Sequence, residues 1–229
     1  MKSLFICVFI VLIFGGCSTS SNLSGESKAR LQSHKTIAIL PFEVRFDLRN
    51  NNRKQFTEKE LAEVRHFMAT GLQEHLYHWL ISYSKKKPFT IEIQHIDITD
   101  SILSERKIRF IDLYSMSRAE LAKMLHVDAI ITANVIFAQP NSEAAAVALE
   151  AIPGQNLFVK QLVTQEMKMQ IFLNDTLAQN TLWQYETKTQ NSNYTKQTKD
   201  RKKENILYPL FENIDKTLVK VIKQFPYHK

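Results

Sequence analysis

The side chains of this sequence that could do chemistry are few and scattered. Its only thiols are Cys7, inside the apolar run of residues 4–14, and Cys17, which follows Gly15 and Gly16 directly. His66, His75 and His78 fall in one stretch of helical apolar spacing, and His75 and His78 could face a common metal ion. A metal site needs three or four ligands at matching geometry, and no cysteine or neighbouring carboxylate motif completes this set. They read as polar-face or boundary histidines, so no metal is expected. Serine, histidine and aspartate are plentiful, but no nucleophile sits in a strand-to-helix elbow, and no catalytic residue is assigned. Beyond Cys17 the only glycines are Gly25, Gly71 and Gly154. They are too few for a glycine-rich phosphate loop, and no cofactor is expected.

The amino terminus carries a more specific signal. Lys2 supplies a positive start, residues 4–14 form an eleven-residue apolar run, and two glycines precede the cysteine. A membrane-spanning helix needs roughly 20 apolar residues, so residues 1–16 read as a secretory signal peptide cut between Gly16 and Cys17. The string Ile13-Phe14-Gly15-Gly16-Cys17 resembles the lipobox of bacterial lipoproteins, in which the cysteine thiol takes a diacylglyceryl group before cleavage. The resemblance implies a lipidated amino terminus at Cys17, and two or more buried acyl chains hold a protein firmly to a bilayer. Ser18 in place of aspartate implies the outer membrane, with the domain facing the periplasm. With Cys7 removed, the mature chain cannot form an internal disulfide.

Removing sixteen residues from 229 leaves 213, enough for a sizeable core in one domain. Residues 17–35 are rich in serine and poor in apolar side chains, which predicts a lipidated flexible tether. Residues 36–229 then form the periplasmic domain. The charge is basic, 30 Lys and Arg against 23 Asp and Glu, and loss of Lys2 takes +7 to +6. An exported chain rarely meets nucleic acid, so none is expected as a partner. The densest basic cluster is Lys196, Lys199, Arg201, Lys202 and Lys203, interrupted by Asp200 and closed by Glu204. It reads as a solvated loop, or as a contact with anionic headgroups, where each basic residue gains about 1 kcal/mol.

Residues 36–42 (TIAILPF) predict a buried strand that Pro41 brings to a stop. Thr57 with Glu60 forms a capping box opening a long helix, along which Leu61, Val64, Met68, Leu72, Leu76, Trp79 and Tyr83 recur at three- or four-residue spacing. Three lysines and Pro88 end it. The alternation over 89–98 predicts a half-buried strand, and 100–109 a short helix. Ser117 and Glu120 repeat the capping pattern before Leu121, Met124 and Leu125, and the near-continuous apolar run 127–137 predicts a central strand. Met167, Met169, Ile171 and Leu173 alternate, as do Trp183 and Tyr185, around a turn-like Asn174-Asp175, which predicts a hairpin. The last helix is expected over 206–224, with the stripe Leu207, Leu210, Phe211, Ile214, Leu218, Val221 and Ile222, and Pro226 stops it. This order describes an α/β sandwich of two or three layers, its mixed sheet flanked by helices.

Four pieces, IAILPFE (37–43), ELAKMLHVDAIITANV (120–135), NTLWQYET (180–187) and a final helix closing on Phe225-Pro226, resemble in this order a known periplasmic domain. It is shared by curli-export lipoproteins, the amino-terminal domain of the TolB translocation protein, and lipoproteins that activate penicillin-binding proteins. The resemblance covers most of 36–226 and implies a non-catalytic docking or assembly module for envelope machinery, with an envelope protein as partner and homo-oligomers within its range. The alternative is a subunit of a curli-type oligomeric pore, in which residues 141–165 would form a membrane hairpin. A barrel strand needs about 10 alternating residues, and the apolar stretch 144–152 alternates poorly and holds Glu150. A soluble edge hairpin or a loop is the expectation there.

Replacing Cys17 with serine should leave the precursor uncleaved and unlabelled by radioactive palmitate in growing cells. Unchanged labelling would overturn the lipid anchor.

Overall fold

The structure, a computed structural model, describes residues 25–139, 165–177, 180–191 and 214–228. Helix α1 (Gly25–Ser33) leads into β1 (Thr36–Ile39) and β2 (Glu43–Asp47). The short α2 (Asn50–Arg53) and the long α3 (Glu58–Ser84) follow, then β3 (Glu92–Ile93), α4 (Ile96–Glu105), a 3-10 turn (Asp112–Tyr114) and α5 (Arg118–Met124). Strands β4 (Ala129–Ala138), β5 (Gln165–Asp175) and β6 (Thr181–Asn191) and helix α6 (Ile214–Lys223) complete it.

The sheet runs β3-β1-β4-β5-β6, with β2 also on β4. Pairings among β1, β2, β3 and β4 are parallel, and β4-β5-β6 is antiparallel, so the sheet is mixed. The apolar run expected as the central strand is central. Its alternate residues Ala129, Ile131, Ala133, Val135 and Phe137 are buried in the main core with Met167, Met169, Ile171 and Leu173 of β5. Against that face lie Leu61, Met68, Leu72, Leu76 and Leu80 of α3 and Leu218, Val221 and Ile222 of α6. A second core, Ala38, Leu40 and Ile130 under Leu103, Leu113, Leu121 and Leu125, forms beneath α4, the 3-10 turn and α5. The sandwich therefore has three layers over β1 and the start of β4 and two layers beyond.

One detail at Pro41 sets the register. Ile39 pairs with Ile131 and Glu43 with Asn134, so four steps along β1 and β2 match three along β4. The extra residue is a bulge, and it inverts the parity of the faces. Before it Ile37 and Ile39 enter the main core, and after it Phe42 and Val44 do. Pro41 brings no N–H to a place where the ladder is already broken.

Several boundaries depart from the sequence expectation. Gly25–Ser33, expected within the flexible tether, is helical; Leu31 is buried in the main core and His34 is buried behind it, so the folded part begins ahead of Thr36. The expected strand over 89–98 shrinks to two residues, because His95 caps α4 and the Gln94 side chain bonds Thr99 Oγ1 (2.8 Å) and the Leu125 carbonyl (3.0 Å). The long helix has its capping box, with Glu60 accepting from the Thr57 amide at 2.7 Å, whereas Ser117 caps α5 by backbone position without a side-chain bond. In α3 Leu80 takes the core place expected of Trp79, whose indole N–H instead donates to Asp215 at 3.3 Å. The hairpin turns beyond Asp175 rather than at Asn174-Asp175. Of the last helix, 214–223 is described; Leu207, Leu210 and Phe211 lie outside the described residues.

Urea denaturation should separate the two kinds of support in α3. Leu76→Ala removes a buried side chain and should cost about 2–5 kcal/mol, and Thr57→Ala, which removes the cap, about 1 kcal/mol.

Candidate functional site

Cys17, Gly16 and the basic cluster Lys196, Lys199, Arg201, Lys202 and Lys203 lie outside the described residues, as does the stretch 140–164 that holds the expected pore hairpin. The three helical histidines lie among the described residues, and they go separate ways. His75 Nδ1 meets Asp215 Oδ1 at 3.4 Å, His78 Nε2 meets Glu74 at 3.5 Å, and His66 packs edge-on against Phe110. Among the described residues no three of His, Cys, Asp and Glu stand close enough to hold a metal ion. Nor, among them, is any helix long and apolar enough to cross a membrane.

What the fold does assemble is a buried polar cluster where its two ends meet. His34, after α1, has Nδ1 2.5 Å from the Tyr227 hydroxyl and Nε2 3.5 Å from Asp175 Oδ2. The tautomer with its proton on Nε2 faces the carboxylate and leaves Nδ1 to accept from Tyr227. All three residues are buried. Burial pushes the Tyr227 hydroxyl up, and the Asp175 and Asp128 charges add to it. Asp128 alongside accepts from the amides of Lys35 (2.7 Å) and Thr36 (2.9 Å). Burial opposes its ionisation, but those amides with the Lys35 charge prevail and hold the carboxyl below the usual range. Sequence reading missed this cluster, because its members come from positions 34, 128, 175 and 227 and share no spacing.

The second face of the sheet beyond α5 has no helix over it among the described residues. Lys168 and Lys188 stand directly opposite each other there, a repulsive arrangement. Glu166 relieves it, with its carboxylate 3.2 Å from Lys168 Nζ and 2.8 Å from Lys188 Nζ, and Gln190 Nε2 donates to it at 2.9 Å. Burial disfavours the charged form, but the bonds from Lys188, Gln190 and Lys168 outweigh it and bring the carboxyl down to about 2.

Two clefts open at the margins. A groove of about 250 Å³ between α3 and the start of α6 is lined by Phe67, Gly71, His75 and Ile214, with Phe67 75% exposed. The wall has a gap at Gly71, where an added Cβ would meet nothing within 4 Å. A larger cleft of about 490 Å³ runs beside β2, facing Arg65, Phe110, Ile111 and Tyr114, with Ile111 64% exposed. Tyr114 closes one end by donating to the Phe42 carbonyl at 2.7 Å. Sequence reading had not singled out Phe110, Ile111 or Arg65; the adjacent apolar pair Phe110-Ile111, directly after Arg109, was the available signal.

No protein-family model and no curated relative matches the sequence. Among solved structures, the chain is similar to lipoprotein GNA1162 from Neisseria meningitidis at 10% identity and a TM-score of 0.38, over 81% of this chain and 99% of that one. It is also similar to the LpoB C-terminal domain from Salmonella enterica at 6% identity and a TM-score of 0.34, over 69% of this chain and 83% of that one. With TM-scores this low, neither likeness carries weight for function.

A folded-state carboxyl near 2, against an ordinary 4.5, makes the Glu166 contribution fully present above about pH 5 and lost as the pH falls toward 2. Glu166→Gln should therefore lower stability by about 2 kcal/mol at pH 7, and the gap should close on acidification. A gap that persists unchanged in urea melts at pH 2.5 would contradict the lysine-bridging role.

Proposed function

We propose that this chain is an outer-membrane-anchored periplasmic lipoprotein acting as a non-catalytic docking or assembly factor for envelope machinery, in secretion, cell-wall synthesis or surface-structure assembly. The observation that carries the reading is the incomplete cover of the sheet among the described residues. Helices close one face, while the margins hold two open clefts whose walls expose Phe67 and Ile111. Large apolar side chains grouped at concave margins mark sites of contact rather than ordinary surface. The apolar run ending in Gly15-Gly16-Cys17 supports export and an anchor, and the acyl chains would hold these clefts within reach of envelope proteins.

A photo-crosslinking residue placed in living cells at Phe67 or Ile111 should yield a discrete adduct with an envelope protein. The same probe at the exposed Lys123 on α5 should not. Identical adducts from all three positions, or none from any, would remove the docking reading. Electron microscopy of the detergent-extracted protein separates it from the pore alternative, which requires large rings.

A further inference from the structure

Among the described residues strand β2 lies at an edge of the sheet, and the length of β3 explains why. β3 pairs with Thr36 and Ile37 of β1 and then gives way to α4 after His95. The strand position outside β1 is therefore vacated before it reaches β2, whose one strand partner among the described residues is β4. Backbone groups point to alternate sides along a strand. The Asp47 carbonyl accepts from the Gln139 amide at 3.0 Å on the β4 side, so Glu43 and Arg45 turn the same way. Phe42, Val44 and Phe46 turn outward. The outward groups of Phe42 are taken up, its carbonyl by the Tyr114 hydroxyl and its amide by the Ala69 carbonyl at 3.2 Å. The amides and carbonyls of Val44 and Phe46 face the cleft.

The lining of the cleft agrees with this geometry. Four successive β2 residues, 43 to 46, form one wall. A cavity lying over a sheet face would meet every second side chain, so an unbroken series identifies a channel along the backbone edge. The opposite wall is apolar at Phe110 and Ile111, and the rim is cationic. Arg45 is held by Glu43, but Arg65 comes no closer than 4.0 Å to Glu58, which Arg53 also binds.

We propose that the cleft is a docking slot for an extended segment of a partner protein, added as a strand beside β2, with an acidic side chain for Arg65 and an apolar one between Phe46, Phe110 and Ile111. The inference rests on the docking reading and gives it a site and a chemistry. In this mode main-chain bonds supply affinity and the side pocket supplies selectivity. The positive rim favours an acidic segment over a neutral one. An empty strand position next to unpaired backbone groups is what an edge offers an incoming chain.

An array of immobilised random 12-residue peptides, probed with the full chain in mild detergent, tests the slot. Bound peptides should share an acidic residue close to an aromatic or branched apolar one. In solution the best of them should slow hydrogen exchange at the Val44 and Phe46 amides by about tenfold or more. N-methylation of alternate peptide amides on one edge should weaken binding about tenfold, and methylation on the other edge should not. Arg65→Glu should weaken it about fivefold, while Lys123→Glu leaves it intact. The slot is overturned if the array binds nothing, or if bound peptides leave both amides exchanging as before. It is equally overturned if self-association of the peptide-free chain protects them, because the occupant is then a second copy. Should the amides stay unprotected while crosslinks from Phe67 and Ile111 still reach an envelope protein, the slot falls and the docking reading stands.

Discussion

β4 is hydrogen-bonded along both edges, to β1 and β2 on one side and to β5 on the other. A strand in that position keeps its backbone polar groups satisfied without water, so its residues can be apolar throughout. Its inward side chains then form the floor on which α3 and α6 rest. The arrangement requires one strand edge to serve β4 along nearly its whole length. Among the described residues no straight strand does so. Two short strands joined by a bulge at Leu40, Pro41 and Phe42 do, at the cost of one interrupted ladder position and an inversion of which side chains face the core.

That inversion shapes the second face. Before the bulge Ala38 and Leu40 point to it and are covered by Leu103, Leu113, Leu121 and Leu125. After it the same face receives Glu43, Arg45 and Asp47, side chains that do not favour a dry cover. Among the described residues the third layer therefore stops at α5, and the remaining sheet carries charge, with Glu166 neutralising two lysines that would otherwise repel across the hairpin. The short β3 leaves the sheet unfinished beside β2, and the cleft occupies that place.

Features encoded by local periodicity are legible in the sequence. The capping box at Thr57 and Glu60, the α3 stripe, the apolar β4 and the alternation of β5 and β6 each lie within one stretch of sequence and obey one period. What could not be read depends on partners distant in sequence. Helix α1 has one buried apolar residue in its last two turns, Leu31, which is no stripe at all, and it is fixed by tertiary contact. The alternation of Phe89, Ile91 and Ile93 is genuine, with all three packed on the main core, but side-chain bonds from Gln94 to Thr99 and Leu125 turn the chain away before a ladder can grow. The β2 cleft was invisible for the same reason, since its walls come from three separate segments.

The polar cluster of His34, Asp175 and Tyr227 closes the fold where its two described ends meet. Helix α1 sets Leu31 into the main core just ahead of it, and Phe225 and Tyr227 arrive from the other end of the chain. The bond from Tyr227 to His34 joins positions 193 residues apart. Helix α1 and the strand it feeds therefore hold their place by tertiary contact rather than by helix propensity. Asp128 accepts the Lys35 and Thr36 amides beside this lock and fixes the start of β1 against β4. The register set there runs through the bulge at Pro41 into β2, so the position of the cleft wall depends on it.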